Sequence, residues 1–154
     1  DPNATVSRAE FAALIARTLA LPAASGEAPF SDVPAGAWYG EAVRSAYAAG
    51  LIQGTGASTF DPNAPVTREE MATMLLNAYA YAARIDLSGL AITQEVKYED
   101  EGSVSAWART NVRLAHALRL MVGSGGLFHP RDDATRAEAI SILKRLTDKL
   151  DTAK

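Results

Sequence analysis

Cysteine is absent from the chain, and histidine and aromatic residues are scarce. Without cysteine, no disulfide, thiolate nucleophile or cysteine-based zinc or iron–sulfur site can form. The two histidines, His116 and His129, lie outside any paired metal-ligand pattern, so the sequence predicts neither a metal site nor a cofactor. No apolar run approaches the roughly 20 residues of a membrane-spanning helix, which argues against a membrane partner.

The chain also lacks an excess of positive charge. Its net charge is −3 and its pI is about 5.4, whereas a protein that binds a phosphate backbone needs a basic face. Nucleic acid is therefore not predicted as a partner. What the chain does have is 154 residues, 48% of them hydrophobic, with 31 alanines. That composition favours a tightly packed helical protein, built as one domain or as an array of small repeats.

A repeated motif organises the sequence. The segment Asp-Pro-Asn-Ala-Thr-Val-Ser-Arg-Ala-Glu at residues 1–10 recurs closely at 61–70 and more loosely at 129–138. In every copy an arginine follows the proline after six residues. In the last two copies a phenylalanine, Phe60 or Phe128, precedes the proline by two residues. We call these segments the first, second and third motif copies.

A second element precedes the second and third motif copies. It consists of an aromatic residue, an aspartate, a tryptophan and a Gly-x-Gly loop, and the tryptophan lies 16 residues before the first loop glycine both times. The sequence thus predicts one domain made of the second half of a first repeat at 1–22, a second repeat at 30–85 and a third at 98–150. The first half of the first repeat is expected upstream of Asp1.

Long helices are predicted after each motif copy. Ser7, Thr67 and Thr135 each precede a glutamate by three residues, which is the capping-box spacing that starts a helix. Apolar residues then follow at helical intervals. Pro22 is expected to stop the first of these helices.

Shorter helices are predicted at about 38–49 and 104–118. Gly50 is expected to end the first of them, and Arg119 at the corresponding place predicts a different end for the second. Residues 22–29 are predicted to form a loop. Residues 86–100 are predicted to form a longer connection that contains a short extended stretch.

These linked motifs resemble those of the S-layer homology (SLH) domain, whose repeat combines Phe-x-Asp-Val, Trp, Gly-[Ile/Leu]-Ile-x-Gly, Phe-x-Pro and Thr-Arg-Ala-Glu. The second repeat matches this pattern at residues 30–33, 38–39, 50–54, 60–62 and 67–70. The third repeat matches at its tryptophan, its glycine loop and its motif copy, and departs at Tyr98, Glu101 and Arg119. The likeness covers nearly the whole chain. It implies an all-α fold in which tandem repeats form a pseudo-threefold helical prism, with a central helix bundle and grooves between repeats.

The resemblance also implies a function. SLH domains anchor exported bacterial proteins to the cell wall without catalysis, by binding a secondary cell wall polysaccharide that ends in pyruvylated N-acetylmannosamine. Some relatives bind modified peptidoglycan instead. A structural module for self-assembly, including S-layer self-association through the parent protein, is the alternative interpretation, and no residue constellation requires an enzyme. The expected location is extracellular, at the bacterial cell wall or S-layer.

Three arginines are the first candidates for ligand binding. Arg8, Arg68 and Arg136 each follow the helix-capping residue, where helix N–H groups are free and the helix end carries partial positive charge. A cation gains nothing from the helix dipole there, so an anion is expected to offset it. Arginine and helix N-terminus together would suit the pyruvate carboxylate that the resemblance implies.

The other candidates carry two interpretations each. The tryptophans either stack on a sugar or anchor their helices in the core. The loop glycines either let the backbone approach a ligand or only form turns. The aspartate either caps the following turn, which is favoured, or orients an arginine or a sugar hydroxyl. The predicted carbohydrate-binding residues beside the arginines are Trp38, Trp107, Gly54, Gly56, Gly123, Gly125 and Asp32, whereas Phe30, Phe60 and Phe128 are predicted to be core.

Overall fold

The computed structural model describes residues 1–24, 26–90 and 97–152. They contain five α-helices: α1 (Arg8–Thr18), α2 (Gly40–Ala48), α3 (Arg68–Ala83), α4 (Arg109–Ala117) and α5 (Arg136–Thr152). Three short 3₁₀ turns lie at Leu87–Gly89, Glu101–Ser103 and Ala106–Ala108. Extended pairing in the described ranges is confined to isolated bridges, so the all-α prediction is confirmed. The predicted extended stretch at 86–100 falls largely on residues outside the described ranges.

The three long helices begin where the capping motif predicts. The hydroxyls of Ser7, Thr67 and Thr135 accept hydrogen bonds from N–H groups three residues later, at 3.0, 3.3 and 3.1 Å. These bonds satisfy one of the N–H groups that a helix start leaves without a partner. The structure therefore confirms the predicted helix starts.

Two predictions about helix ends are wrong. Helix α1 ends at Thr18, before Pro22, because Ala20 adopts a left-handed conformation with φ of +50°. Helix α4 ends like α2 although Arg119 replaces Gly50, since Arg119 also has positive φ, +58° against +77°. In both helices the residue after this one donates to a carbonyl five residues back, at 2.8–2.9 Å. Hydrogen bonding of the last turn thus outweighs the conformational preference of the side chain.

The core lies among the long helices and three phenylalanines outside them. Phe30, Phe60 and Phe128 are at most 6% exposed, which confirms their assignment to the core. The short helix α2 packs against α1, and α4 packs in the same way against α3, while α5 contacts both α1 and α3. Trp38 and Trp107 are 69% and 58% exposed, so the interpretation that they are core anchors is wrong.

The three motif copies are joined by a ring of backbone hydrogen bonds. Val66 N–H donates to the Val6 carbonyl at 2.9 Å, Ala134 N–H to the Val66 carbonyl at 2.9 Å, and Val6 N–H to the Ala134 carbonyl at 3.0 Å. Each copy therefore gives one bond and accepts one, in cyclic order. This ring has pseudo-threefold character, and the complete prism remains a prediction. None of the helices in the described ranges is both long and apolar enough to cross a membrane.

Candidate ligand-binding groove

A groove of about 420 Å³ runs between the first motif copy, the glycine loop of the second repeat and helix α3. We call it the Arg8 groove. Three kinds of surface meet there: a guanidinium, a glycine-containing backbone loop and an exposed indole ring. Its principal lining residues are Arg8, residues 51–55, Glu70, Asn77 and Trp107.

Arg8 forms part of the groove wall and joins three segments of the chain. Its Nε donates to the Phe60 carbonyl at 2.8 Å, its Nη2 donates to the Gln53 carbonyl at 3.2 Å, and its Nη1 is paired with Glu70. The guanidinium also lies 4.8 Å from the centroid of the Phe60 ring. Burial lowers the pKa of Arg8, and the nearby Asp61 and Asp32 oppose that change. Arginine nonetheless keeps its charge at any ordinary pH.

Arg68 repeats this arrangement one copy later. Its Nε donates to the Phe128 carbonyl at 2.9 Å, its Nη2 to the Val122 carbonyl at 3.1 Å, and its Nη1 to Glu138 at 2.6 Å. It lines a second groove of about 320 Å³, which also contains Arg145 of α5. Trp107 does not line this groove.

Arg136 completes the cycle by pairing with Glu10 at 2.8 Å. Each of the three arginines is thus paired with the glutamate of another copy. The sequence predicts an outside anion that offsets these cations, but in the structure the protein supplies a carboxylate of its own. The sequence feature that could have revealed this pairing is the fixed Arg-x-Glu spacing in all three copies. A glutamate that only capped its own helix would not need an arginine partner in another copy.

The prediction that the helix N-termini are open to an anion is wrong. The first two N–H groups of α1 donate to the carbonyls of Ala64 and Pro62, both at 2.9 Å, and the third donates to the Ser7 hydroxyl. Helices α3 and α5 have their first three N–H groups bonded in the same way. Donors for a ligand therefore have to come from side chains and loops.

The loop glycines serve packing in two of four positions. A Cβ on Gly54 would collide with the Thr59 carbonyl and the Phe30 ring, and a Cβ on Gly123 would collide with its counterparts, the Leu127 carbonyl and the Tyr98 ring. The two glycines differ in the hydrogen bonding of their N–H groups. Gly123 N–H donates to the Tyr98 hydroxyl at 3.1 Å, whereas the residue beside Gly54, Phe30, has no hydroxyl to accept such a bond. In the described part of the chain, Gly54 N–H has no acceptor.

Gly56 and Gly125 do not line the Arg8 groove. Gly56 borders a neighbouring cavity together with Phe30 and Tyr47. Gly125 has a φ of +58°, which is a conformation that favours glycine, and its place is a turn. Their role in ligand binding stays a prediction, because neither glycine lines the Arg8 groove.

Asp32 is tied to the backbone of the second motif copy. Its two carboxylate oxygens accept from the N–H groups of Phe60 and Asp61, at 2.9 and 2.8 Å. Asp100 makes the same pair of bonds to Phe128 and His129. The favoured interpretation, that Asp32 caps the turn directly after it, is therefore wrong, because its carboxylate binds N–H groups 28 and 29 residues later in the chain.

The structure thus brings together only part of the predicted set. Arg8, Gly54 and Trp107 meet in the Arg8 groove, while Trp38 lies elsewhere, edge-on to Tyr39 at 5.3 Å between ring centroids. Residues that the sequence analysis missed are the polar side chains of α3 in the groove, Thr73 and Asn77. No group of three or more potential metal-ligating side chains occurs within the described ranges.

Similarity to known proteins agrees with the repeat pattern. A family profile described as the S-layer homology domain matches residues 29–72 and 97–140, together more than half of the chain. The amylopullulanase of Thermoanaerobacterium thermosulfurigenes is 39% identical over 97% of this chain and 8% of its own length. The surface-layer 125 kDa protein of Lysinibacillus sphaericus is 30% identical over 98% of this chain and 12% of its own length. The S-layer protein sap of Bacillus anthracis is 30% identical over 97% and 17%.

The chain is therefore a repeat module of the cell-surface class. It belongs to the S-layer homology domain family, whose members anchor proteins to the bacterial cell wall. The chain spans less than a fifth of the length of the relatives named above. Its match to the enzyme among them is confined to an SLH region and does not carry the enzyme's activity.

Proposed function

We propose that the chain is a non-catalytic wall anchor that binds a secondary cell wall polysaccharide ending in pyruvylated N-acetylmannosamine. The family supports wall anchoring, and the sugar and its pyruvate follow from the resemblance of the repeats. The Arg8 groove is the observation that carries the proposal. It offers a charged fork, a glycine-containing backbone loop and an aromatic face within one concave surface of about 420 Å³.

Each of these surfaces matches one part of the ligand. Arg8 uses three of its five N–H donors within the protein, and the remaining donors suit a carboxylate. Gly54 lines the groove as part of a backbone loop that a ligand can approach closely. The Trp107 ring, 58% exposed, suits the apolar face of a pyranose. In this proposal Arg8 holds the carboxylate, the loop at Gly54 borders it, and Trp107 contacts the sugar ring.

Calorimetric titration with the methyl glycoside of pyruvylated N-acetylmannosamine tests this assignment. The same glycoside without pyruvate is the control ligand, and a peptidoglycan fragment tests the alternative polymer. Binding that requires the pyruvate is the expected result. Equal binding of the two glycosides, or binding of peptidoglycan alone, would contradict the proposed ligand.

The two tryptophans provide a matched pair of variants. Trp107→Ala removes the ring that lines the Arg8 groove, whereas Trp38→Ala removes another exposed ring, which lies outside it. We expect Trp107→Ala to weaken binding at least about tenfold, because an aromatic contact is a typical dominant contributor to affinity. Trp38→Ala is expected to change it little. A larger loss of affinity in Trp38→Ala than in Trp107→Ala would place the binding site outside the Arg8 groove.

Self-association is the second candidate function, and one exposed side chain favours it. Ile140 of α5 is 65% exposed, while Ala12 and Ala72 at the corresponding positions of α1 and α3 are fully buried beneath α2 and α4. Light scattering across a concentration series, with Ile140→Lys as the comparison, tests this candidate. An average mass that rises with concentration in the unsubstituted chain, but not in Ile140→Lys, would support it.

A further inference from the structure

One buried carboxylate has no part in the ligand scheme above. In the first and third motif copies an alanine, Ala9 or Ala137, follows the arginine, whereas the second copy has Glu69 at that place. Glu69 is only 5% exposed. A buried carboxylate needs hydrogen-bond donors to replace its lost hydration, and Glu69 finds them on a single residue.

Ser105 supplies both donors. Its backbone N–H donates to Glu69 Oε2 at 2.8 Å, and its hydroxyl donates to Glu69 Oε1 at 2.6 Å. Ser105 immediately precedes the turn Ala106–Ala108, which carries Trp107 and leads into α4. Ser105 is the N-cap residue of that turn, and its side chain makes no capping hydrogen bond to it. Glu69 of α3 therefore fixes the start of the segment that presents Trp107.

A second polar bridge lies on the other side of Trp107. Asn111 Nδ2 donates to Thr73 Oγ1 at 3.2 Å, and the Thr73 hydroxyl donates to the Glu69 carbonyl at 3.1 Å. The backbone that carries Trp107 is thus anchored to α3 at two points, Ser105 and Asn111. Because its backbone is already anchored, the exposed Trp107 ring loses less conformational entropy when a ligand binds.

The other tryptophan provides an internal comparison. The positions around Trp38 that correspond to Glu69, Ser105, Thr73 and Asn111 are occupied by residues without a polar side-chain atom. Neither bridge can therefore form between the Trp38 segment and α1. The corresponding residues are Ala9, Gly36, Ala13 and Ala42.

We propose that Glu69 is a positioning residue that holds Trp107 over the Arg8 groove through Ser105, and that this raises the affinity of the Arg8 groove for its ligand. The affinity statement rests on the proposed function, because it requires a ligand that enters the groove. The statement about position does not, and it is tested without ligand.

Fluorescence of Trp107 measures the position directly. Trp38→Phe leaves Trp107 as the sole tryptophan, and Glu69→Ala and Glu69→Gln are introduced into that background. Glu69→Ala is expected to increase acrylamide quenching and lower the anisotropy of Trp107. Glu69→Gln is expected to preserve both, because an amide can accept from the Ser105 N–H and donate to its hydroxyl. Glu41→Ala, at an exposed glutamate of α2, is the matched control and should change neither.

Affinity for the pyruvylated glycoside is measured on the same variants. Glu69→Ala is expected to weaken binding about two- to tenfold, the cost of ordering one large side chain on association, and Glu69→Gln to restore it. Ser105→Ala keeps the backbone bond, so its effect should be intermediate; this variant also serves if Glu69→Ala does not fold.

The positioning role and the affinity statement are overturned by different results. Unchanged Trp107 fluorescence in Glu69→Ala would refute the positioning role. Weaker binding with unchanged fluorescence would refute it as well, since a general loss of stability then accounts for the effect. If the parent protein binds no glycoside, the proposed function and the affinity statement both fail, while the ligand-free fluorescence still decides the positioning.

Discussion

The ion pairs of Arg8 and Arg136 differ in burial, and therefore in how much each should contribute to stability. The side chains of Arg8 and Glu70 are 7% and 23% exposed, whereas those of Arg136 and Glu10 are 52% and 29% exposed. Removing one partner of a buried pair leaves an uncompensated charge and costs about 3–5 kcal/mol, while an exposed pair contributes about 0–1 kcal/mol. We therefore expect Arg8→Ala to lower the free energy of unfolding by about 3 kcal/mol, and Arg136→Ala by less than about 1 kcal/mol, in urea titrations.

Double-mutant cycles give the control for this comparison. Glu70→Ala combined with Arg8→Ala, and Glu10→Ala combined with Arg136→Ala, isolate the two pairwise energies. A larger coupling for the buried pair is the expected result. Equal couplings would contradict the expectation that the buried Arg8–Glu70 pair contributes more to stability than the exposed Arg136–Glu10 pair.

Asp100 makes stability depend on pH. Burial alone would raise the pKa of its carboxyl, but the N–H groups of Phe128 and His129 outweigh that effect and lower it below its ordinary value. A carboxyl with a lowered pKa stabilises the fold above its unfolded pKa of about 3.9, and that stabilisation is lost as pH falls through the folded value. Asp100→Asn should thus destabilise the protein at pH 7 and reduce the slope of stability against pH below about pH 5. An unchanged slope in urea titrations would contradict this role.

At this scale the candidate site residues could be predicted from the sequence, whereas their hydrogen-bond partners could not. The arginines, the glycine loop and the tryptophans are visible because they recur at fixed spacing. The pairing of Arg8 with Glu70 is not visible, since it joins residues 62 positions apart and depends on how the copies meet. The same holds for Glu69 and Ser105, whose role follows only from a contact between α3 and the next repeat.

At the scale of helices, starts were predictable and ends were not. A start is encoded locally by a hydroxyl and a glutamate three residues apart, and all three long helices follow that rule. An end depends on whether a residue can take positive φ, and here Ala20, Arg84 and Arg119 do so in the place of glycine. Tertiary packing of the following residues, such as the buried Leu120, imposes the conformation at some cost.

That cost predicts a stabilising substitution at the end of α4. Arg119 is exposed and has a φ of +58°, which is less favourable for a residue with a Cβ by about 1 kcal/mol. Arg119→Gly should raise the free energy of unfolding by about 1 kcal/mol. Gly50→Ala is the inverse test, because a Cβ there meets no atom within 4 Å, and it should lower stability by a similar amount. Guanidinium titrations that show no change in either variant would contradict the strain.

The whole molecule is held as a cycle, and the first residues of the chain close it. Arg136 N–H and Ala137 N–H donate to the carbonyls of Ala4 and Pro2, at 2.9 and 3.1 Å. The equivalent N–H groups of α1 and α3 donate to residues 62–64 and 130–132. Residues 1–5, which precede α1, therefore accept from α5 just as the segment before α3 accepts from α1 and the segment before α5 accepts from α3. They do so although they lie farthest from α5 in sequence.

Deletion of residues 1–5 tests this closure. The first two N–H groups of α5 would lose their acceptors, and a helix start without partners frays. We expect the amides of Arg136 and Ala137 to exchange with deuterium much faster in the shortened chain, while those of Arg8 and Arg68 keep their protection because their acceptors remain. Faster exchange at all four amides would instead mean that the deletion unfolds the domain as a unit. Unchanged exchange at Arg136 would mean that the cycle of backbone bonds is not what protects the start of α5.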